Sequence, residues 1–216
     1  MNVLHISADP RPVESSVPKE IAVAFFNKLS GAESDIEITH VDLYKDPPPY
    51  MSEASYRGQW YPVFIEGYQA TREEVAANVY GQKQSELFNQ TDALVIATPM
   101  WNFSVPAILK GWIDCVLAPG LTYTFEKTGP QPLHRIKKVV LLVASDDTFK
   151  EEDPRDILTA QIRASLEYIE IEDLSVAWAD GQNPVIFGDC ELRKSMAIEA
   201  AEELAEELVE MESVTN

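Results

Sequence analysis

The sequence predicts an α/β fold in which a doubly wound sheet of five parallel strands carries helices on both faces. Three observations predict it. Short apolar runs alternate from end to end with longer segments whose apolar residues recur at spacings of three and four. Two of the runs, Ala93 to Thr98 and Lys138 to Ala144, are nearly continuous, as strands buried on both faces are. The chain has 216 residues, which suits one domain, because doubly wound sheets fill about 150 to 250 residues around a single core. No internal repeat or second domain is visible, so residues 1–216 are read as one unit.

Taken in order, Val3-Leu4-His5-Ile6 reads as a buried first strand. A loop rich in proline and acid follows from Asp9 to Ser16. Ile21, Ala22, Ala24, Phe25 and Leu29 then fall on one face, so Pro18 to Leu29 reads as a helix with proline in its first turn, stopped at Gly31. Ile36 to Leu43 alternates and reads as a second, more exposed strand. The pattern lapses between Tyr44 and Tyr80. Pro47-Pro48-Pro49-Tyr50 and the aromatics Tyr56, Trp60, Tyr61, Phe64 and Tyr68 mark a long excursion with helical pieces, ahead of a helix from Thr71 to Gln90. Connections this long are usually functional or interfacial; the plainer alternative is that the aromatics pack the excursion onto the domain.

Ala93 to Thr98 is the third strand, and the helix after it carries Val105, Ile108, Leu109, Trp112, Ile113 and Val116 on one face. Lys138 to Ala144 is the fourth strand, followed by a helix from Pro154 to Tyr168 with Pro154 in its first turn. Leu174 to Ala179 is the fifth strand. An acidic helix from Glu191 to Met211 closes the chain, with Leu192, Met196, Ala200, Leu204 and Leu208 as its apolar stripe.

Composition narrows the function classes. Seventeen basic residues against 36 acidic ones give a net charge of −19, which repels phosphodiester backbones and anionic lipid headgroups, so neither nucleic acid nor a membrane surface is expected as a partner. Met1 to Ser7 has no basic leader followed by a long apolar run, and no segment approaches the ~20 apolar residues of a membrane span. A cytoplasmic location is the simplest expectation. Cys115 and Cys190 stand far apart with no paired spacing for metal, redox or disulfide use. His5 and His40 fall within strands and read as structural, His134 falls in a loop and reads as a surface residue, and no metal site is expected.

The most informative stretch is Pro99-Met100-Trp101-Asn102-Phe103, where a buried strand empties into an aromatic loop ahead of a helix. In open α/β sheets ligands sit at such carboxyl-edge junctions. Met100, Trp101 and Phe103 offer flat or soft walls, Asn102 both donates and accepts, and backbone amides stand near a helix start. That set suits a planar, polar-edged heterocycle such as a flavin.

With five alternating strands, a loop after the first, and this turn followed by Lys110-Gly111-Trp112-Ile113-Asp114 and Gly120-Leu121-Thr122-Tyr123-Thr124-Phe125, the chain resembles the flavodoxin-like FMN-dependent NADH-azoreductases and quinone reductases. Order and spacing agree along nearly the whole chain, and the specific part is Thr98 to Phe125. The resemblance implies a flavodoxin-like sheet in the order 2-1-3-4-5, FMN as cofactor, NADH or NADPH as co-substrate, a quinone or azo compound as acceptor, and a homodimer. It puts Pro99, Met100, Trp101, Asn102 and Phe103 against the flavin ring, with Trp101 where a tyrosine is frequent. It demands no catalytic acid or base, since water can supply protons. The acidity of the chain provides no anion pocket for a 2′-phosphate and so favours NADH.

Two segments depart from the family pattern. The phosphate loop aligns on Asp9 and on Ser16-Val17-Pro18, where the family has a Ser or Asn and then S-x-S. Asp9 brings negative charge toward a phosphate, and Pro18 removes a hydroxyl and an amide donor, leaving Ser15, Ser16 and the Val17 amide. Ser16 reads equally as a plain helix cap. After the fourth strand the family's Ser-x-Gly-Gly is replaced by Ser145-Asp146-Asp147-Thr148, so Ser145 fits and both glycines are lost. A glycine-rich dinucleotide fingerprint and a Walker loop are absent between Asp9 and Ser16, and a phospho-acceptor aspartate is absent at Thr98-Pro99. The competing class is a binding or interaction module of the same fold that has lost tight FMN binding: the altered loops favour it, and the retained Pro99 to Phe103 turn argues against it.

Overall fold

The computed structural model of the chain describes residues 1–31, 35–150 and 152–215. In chain order the elements are β1 (Asn2–Ser7), α1 (Val17–Ser30), β2 (Glu37–Asp42), α2 (Glu53–Phe64), α3 (Arg72–Ala77), α4 (Val79–Asn89), β3 (Ala93–Pro99), α5 (Ala107–Val116), β4 (Tyr123–Glu126), β5 (Gly129–Pro132), β6 (Lys138–Ala144), α6 (Ile157–Glu167), β7 (Leu174–Ala179) and α7 (Cys190–Thr215). The main sheet runs β2-β1-β3-β6-β7, and each neighbouring pair is parallel. Leaving aside the small β4–β5 hairpin, this is the expected order 2-1-3-4-5. The sheet reverses direction of growth at β1, so the crevice between the carboxyl ends of β1 and β3 is the switch point where such sheets open to ligands.

Alternation along the strands divides the core in two. Leu4, Ile6, Leu94, Ile96, Val139 and Leu141 face one side, against Phe88 of α4, Leu109, Trp112 and Val116 of α5, and Leu158, Ile162 and Leu166 of α6. Val3, Val95, Ala97, Val140, Leu142 and Ala177 face the other, against Ile21, Ala22, Phe25 and Leu29 of α1 and Ala197, Ala201, Ala205 and Leu208 of α7. Every residue of β3 and β6 is buried. Their near-continuous apolar runs follow from that double burial.

Several expectations need correction. The helix expected over Thr71 to Gln90 is two helices, broken at Asn78 (φ −106°, ψ 3°). The Asn78 carboxamide donates to Glu74 O at 2.8 Å and to Ser55 O at 3.1 Å, drawing off a carbonyl of its own helix and tying α3 to α2. Pro154 lies ahead of α6 and not in its first turn; Asp156 caps that helix by accepting from Thr159 N at 2.9 Å. On α7 the buried row is Ala197, Ala201, Ala205 and Leu208, while Leu192 and Met196 are exposed, because small residues let the helix lie close on α1 and the sheet. The β4–β5 hairpin was not anticipated: Pro130 and Pro132 disfavour a strand, yet a two-stranded ribbon is all edge and tolerates them.

The histidines stand in structural positions, as expected of His5 and His40. They are register partners on β1 and β2, their Nδ1 atoms 2.9 Å apart, and Phe26 of α1 packs on both rings. His134 is no surface residue: its Nε2 lies 3.0 Å from Ile169 O, its Nδ1 accepts from Ile136 N, and its ring meets Phe88 edge-on. It pins the segment after β5 to the turn after α6.

Burial, with the charges of His40 and Lys19 acting in the same direction, holds the His5 imidazole down at about 3 from its usual 6.5. The unfolded chain takes up that proton near pH 6.5 and the folded chain does not, so this contribution to stability is complete above pH 6.5 and is lost as pH falls toward 3. The His5 ring resonances therefore stay constant between pH 8 and 5 by NMR; a midpoint near 6.5 contradicts the burial of His5. A second prediction concerns Gly81, in the first turn of α4, where an added Cβ would stand 2.6 Å from Cys115 O of α5. Gly81→Ala destabilises the protein by about 1–3 kcal/mol in urea unfolding, reversing the ~1 kcal/mol gain of an ordinary helical Gly→Ala change.

Candidate active site

The carboxyl edge of β3 is built by backbone. Met100 N donates to Ala144 O at 2.8 Å, carrying the β3–β6 pairing one step past the strand and keeping Met100 buried in the core. Trp101 and Ser104 then exchange hydrogen bonds, Trp101 N to Ser104 O at 3.0 Å and Ser104 N to Trp101 O at 3.1 Å. Between them Asn102 (φ 51°) and Phe103 (φ 66°) are both left-handed, the backbone of a two-residue type I′ turn. Asparagine accepts that region readily, whereas phenylalanine does so at a cost, and strained residues of this kind cluster where a ligand is held. Ser104 Oγ donates to Gln161 Oε1 at 2.8 Å and fastens the turn to α6.

The turn displays what a planar heterocycle needs. Trp101 and Phe103 are 41% and 45% exposed, large for aromatic residues beside a core. The Asn102 carboxamide and the amides of Asn102 and Phe103 have no hydrogen-bond partner among the described residues. Open donors, an open acceptor and two aromatic surfaces therefore share one edge of the sheet. Pro99 lies buried at the end of β3 and contributes position only.

On the β6 side the loss of glycine is accommodated without positive φ, since residues 145–148 have none. Ser145 is buried and its hydroxyl is committed: Oγ accepts from Trp178 Nε1 at 2.8 Å and donates to Asp147 O at 3.0 Å. Arg155 organises the rest, donating to Asp147, Asp153 and Thr148 O while lying over the Phe149 ring, which stacks on Trp178. The turn is thus held by side chains where the family pattern holds it by glycine backbone. Sequence reading missed Arg155, whose only signal was a cation among acids.

On the β1 side Asp9 is fully buried and is not a bare charge. Its carboxylate accepts from Arg11 N at 3.0 Å, from the Arg11 guanidinium through Nε at 3.0 Å and Nη2 at 2.6 Å, and from Ser16 Oγ at 2.8 Å. Burial alone raises its pKa, but the hydrogen bonds from Arg11 and Ser16 outweigh burial and hold the carboxyl below the usual range. Ser16 also caps α1 by accepting from Lys19 N at 3.3 Å, so the capping role holds. Val17 offers its free first-turn amide, and Pro18, buried in the first turn, offers none. Arg11 was the residue missed here, although it stands two places from Asp9.

Adjacent strands are about 5 Å apart, so the Asp9–Ser16 loop, the Trp101–Ser104 turn and the Ser145 turn line one crest above β1, β3 and β6 in that order. The unpartnered donors and acceptor of the middle turn fit the polar edge of an isoalloxazine. A five-stranded 2-1-3-4-5 sheet with its ligand crest at the β1/β3 switch point defines a flavodoxin-like protein. The family model for the flavodoxin-like fold matches residues 1–208. Among curated relatives, the FMN-dependent NADH:quinone oxidoreductase 1 of Bacillus licheniformis is 31% identical over 190 residues, covering 85% of this chain and 88% of that one. The FMN-dependent NADH:quinone oxidoreductase of Gluconacetobacter diazotrophicus is 30% identical over 204 residues, covering 93% and 96%. In fold the chain is similar to an FMN-dependent NADH-azoreductase from Bacillus anthracis solved in complex with FMN, with a TM-score of 0.84 at 22% identity over 96% of this chain and 99% of that one. The chain belongs to the flavodoxin-like family and, within it, to the FMN-dependent NADH:quinone oxidoreductases.

Proposed function

We propose that the chain is an FMN-dependent oxidoreductase that takes two electrons from NADH and delivers them to quinones or azo compounds. The observation that carries this is the Trp101–Ser104 turn, where unpartnered amides, an open carboxamide and two exposed aromatic rings meet at the switch point of the sheet. FMN, when bound, supplies the two-electron exchange between reduced nicotinamide and acceptor. The chain supplies the setting. The Asn102 carboxamide and the Asn102 and Phe103 amides would hold the polar edge of the ring, Met100 supports the turn from within the core, and Trp101 and Phe103 form an apolar shelf for flat reactants. No side chain of the crest stands out as an acid or base for this chemistry, and solvent can supply the protons.

The same reading includes a homodimer in the cytoplasm. Tyr50, Met51, Tyr56, Phe64 and Ile65 are exposed in and beside α2, with Tyr50 at 88% and Phe64 at 64%. Large apolar groups gathered in this way are the usual content of a subunit interface. No helix among the described residues is long and apolar enough to cross a membrane.

Two experiments test the proposal. Steady-state rates with NADH and a benzoquinone as varied substrates give parallel double-reciprocal lines, because one site serves both in turn; intersecting lines, or no NADH oxidation by FMN-loaded protein, contradict it. Asn102→Gly keeps the left-handed turn and deletes the carboxamide. It weakens FMN binding about tenfold by fluorescence quenching, the equivalent of one hydrogen bond. Unchanged affinity removes Asn102 from the site, and failure of the parent chain to take up any flavin leaves the binding-module reading in its place.

A further inference from the structure

The start of α1 is an anion site that already holds an anion. A phosphate arriving at a helix N-terminus is bound by free amides, neighbouring hydroxyls and a nearby cation. Here most of those donors are already engaged. The Ser16 hydroxyl, the Arg11 amide and the Arg11 guanidinium all donate to the buried Asp9 carboxylate, at 2.6–3.2 Å. The amides of Ser15 and Ser16 donate to Pro12 O and Val13 O, the Lys19 amide to Ser16 Oγ, and Lys19 Nζ to Arg11 O. Pro18 has no amide, so only the Val17 N–H is left open in the first turn. Asp146, on the turn after β6, adds a second negative charge that acts on Arg11.

A carboxylate accepts through two oxygens in a fork that matches guanidinium as a phosphate does. Asp9 accepts five hydrogen bonds from a fully buried position, three of them from the guanidinium, so it is a complete internal ligand and not a stray acid. A 5′-phosphate could bind only by displacing it from Arg11 and Ser16 or by sitting beside it as a like charge, and both oppose binding. The ring end of the site is untouched by this, because the Trp101–Ser104 turn lies one strand over on β3.

Building on the flavin reading above, we propose that Asp9 occupies the flavin-phosphate position as an internal anion, so that this chain selects flavin by its ring and holds phosphate-free riboflavin nearly as tightly as FMN. Asp9 is thereby the residue that sets phosphate specificity. Asp9→Asn keeps the shape and the acceptor oxygen, removes the charge, and frees Arg11 to meet a phosphate.

The test is a fluorescence-quenching titration of the parent chain and of Asp9→Asn with FMN and with riboflavin. The parent binds the two within a fewfold of each other, and Asp9→Asn tightens FMN about tenfold while leaving riboflavin within about twofold. The unchanged riboflavin affinity reports that the variant is folded. A parent that prefers FMN by about a hundredfold or more overturns the proposal without reference to the variant, as does an Asp9→Asn chain that binds riboflavin normally and FMN no better than before. If the parent binds neither flavin, the functional reading itself falls, an outcome distinct from the other two.

Discussion

The pairing of β3 between β1 and β6 is the constraint on which the rest depends. Both ladders are parallel and both faces of β3 are covered, so its register is fixed from two sides at once. A slip of one residue would turn every side chain to the opposite core. The Met100 N to Ala144 O bond carries that register past the end of the strand, and the position of the Trp101–Ser104 turn follows from it. A site on the continuation of a doubly paired central strand inherits the rigidity of the core, as a site that must hold a flat ring in one orientation requires.

The crest combines a rigid centre with two rebuilt flanks. At the centre, backbone geometry presents the donors, and the strained φ of Phe103 is tolerated because the Trp101–Ser104 hydrogen bonds and the Ser104–Gln161 contact determine the turn. On the flanks, arginine does what glycine and serine do in the family pattern. Arg155 ties the turn after β6 through three acceptors and a ring, and Arg11 fills the loop after β1 by pairing with a buried acid. These pairs are formed within a few residues of sequence, so the ordering entropy they must offset is small. On the proposed reading, ring binding and phosphate binding fall to separate parts of the crest, one on β3 and one on β1, and can change independently.

Much of this was legible in the sequence where burial is two-sided or periodic. The β6 and β7 boundaries coincide with the runs read from sequence, and the apolar face of α5 contains the buried Leu109, Trp112, Ile113 and Val116. The turn at Met100 to Phe103 was found because large aromatics at the end of a buried strand have no use in the core. What escaped depends on contacts between residues distant in sequence or on local polar competition. Asn78 divides a helix by hydrogen bonding to Ser55, 23 residues away. The row Ala197, Ala201 and Ala205 outranks the bulkier row beside it because closeness to α1 decides, and closeness has no hydropathy signal. Asp9 was recognised as a charge, but its neutralisation by Arg11 and Ser16 needed the loop conformation to be seen.

The proposed function rests on the Trp101–Ser104 turn as the holder of the flavin ring. A crystal structure of the chain grown with FMN tests this most directly. The expected result is an isoalloxazine lying against Trp101 and Phe103 with its polar edge in hydrogen-bond contact with Asn102 and the adjoining amides. A ring bound elsewhere, with the Asn102 carboxamide still without a partner, would contradict it.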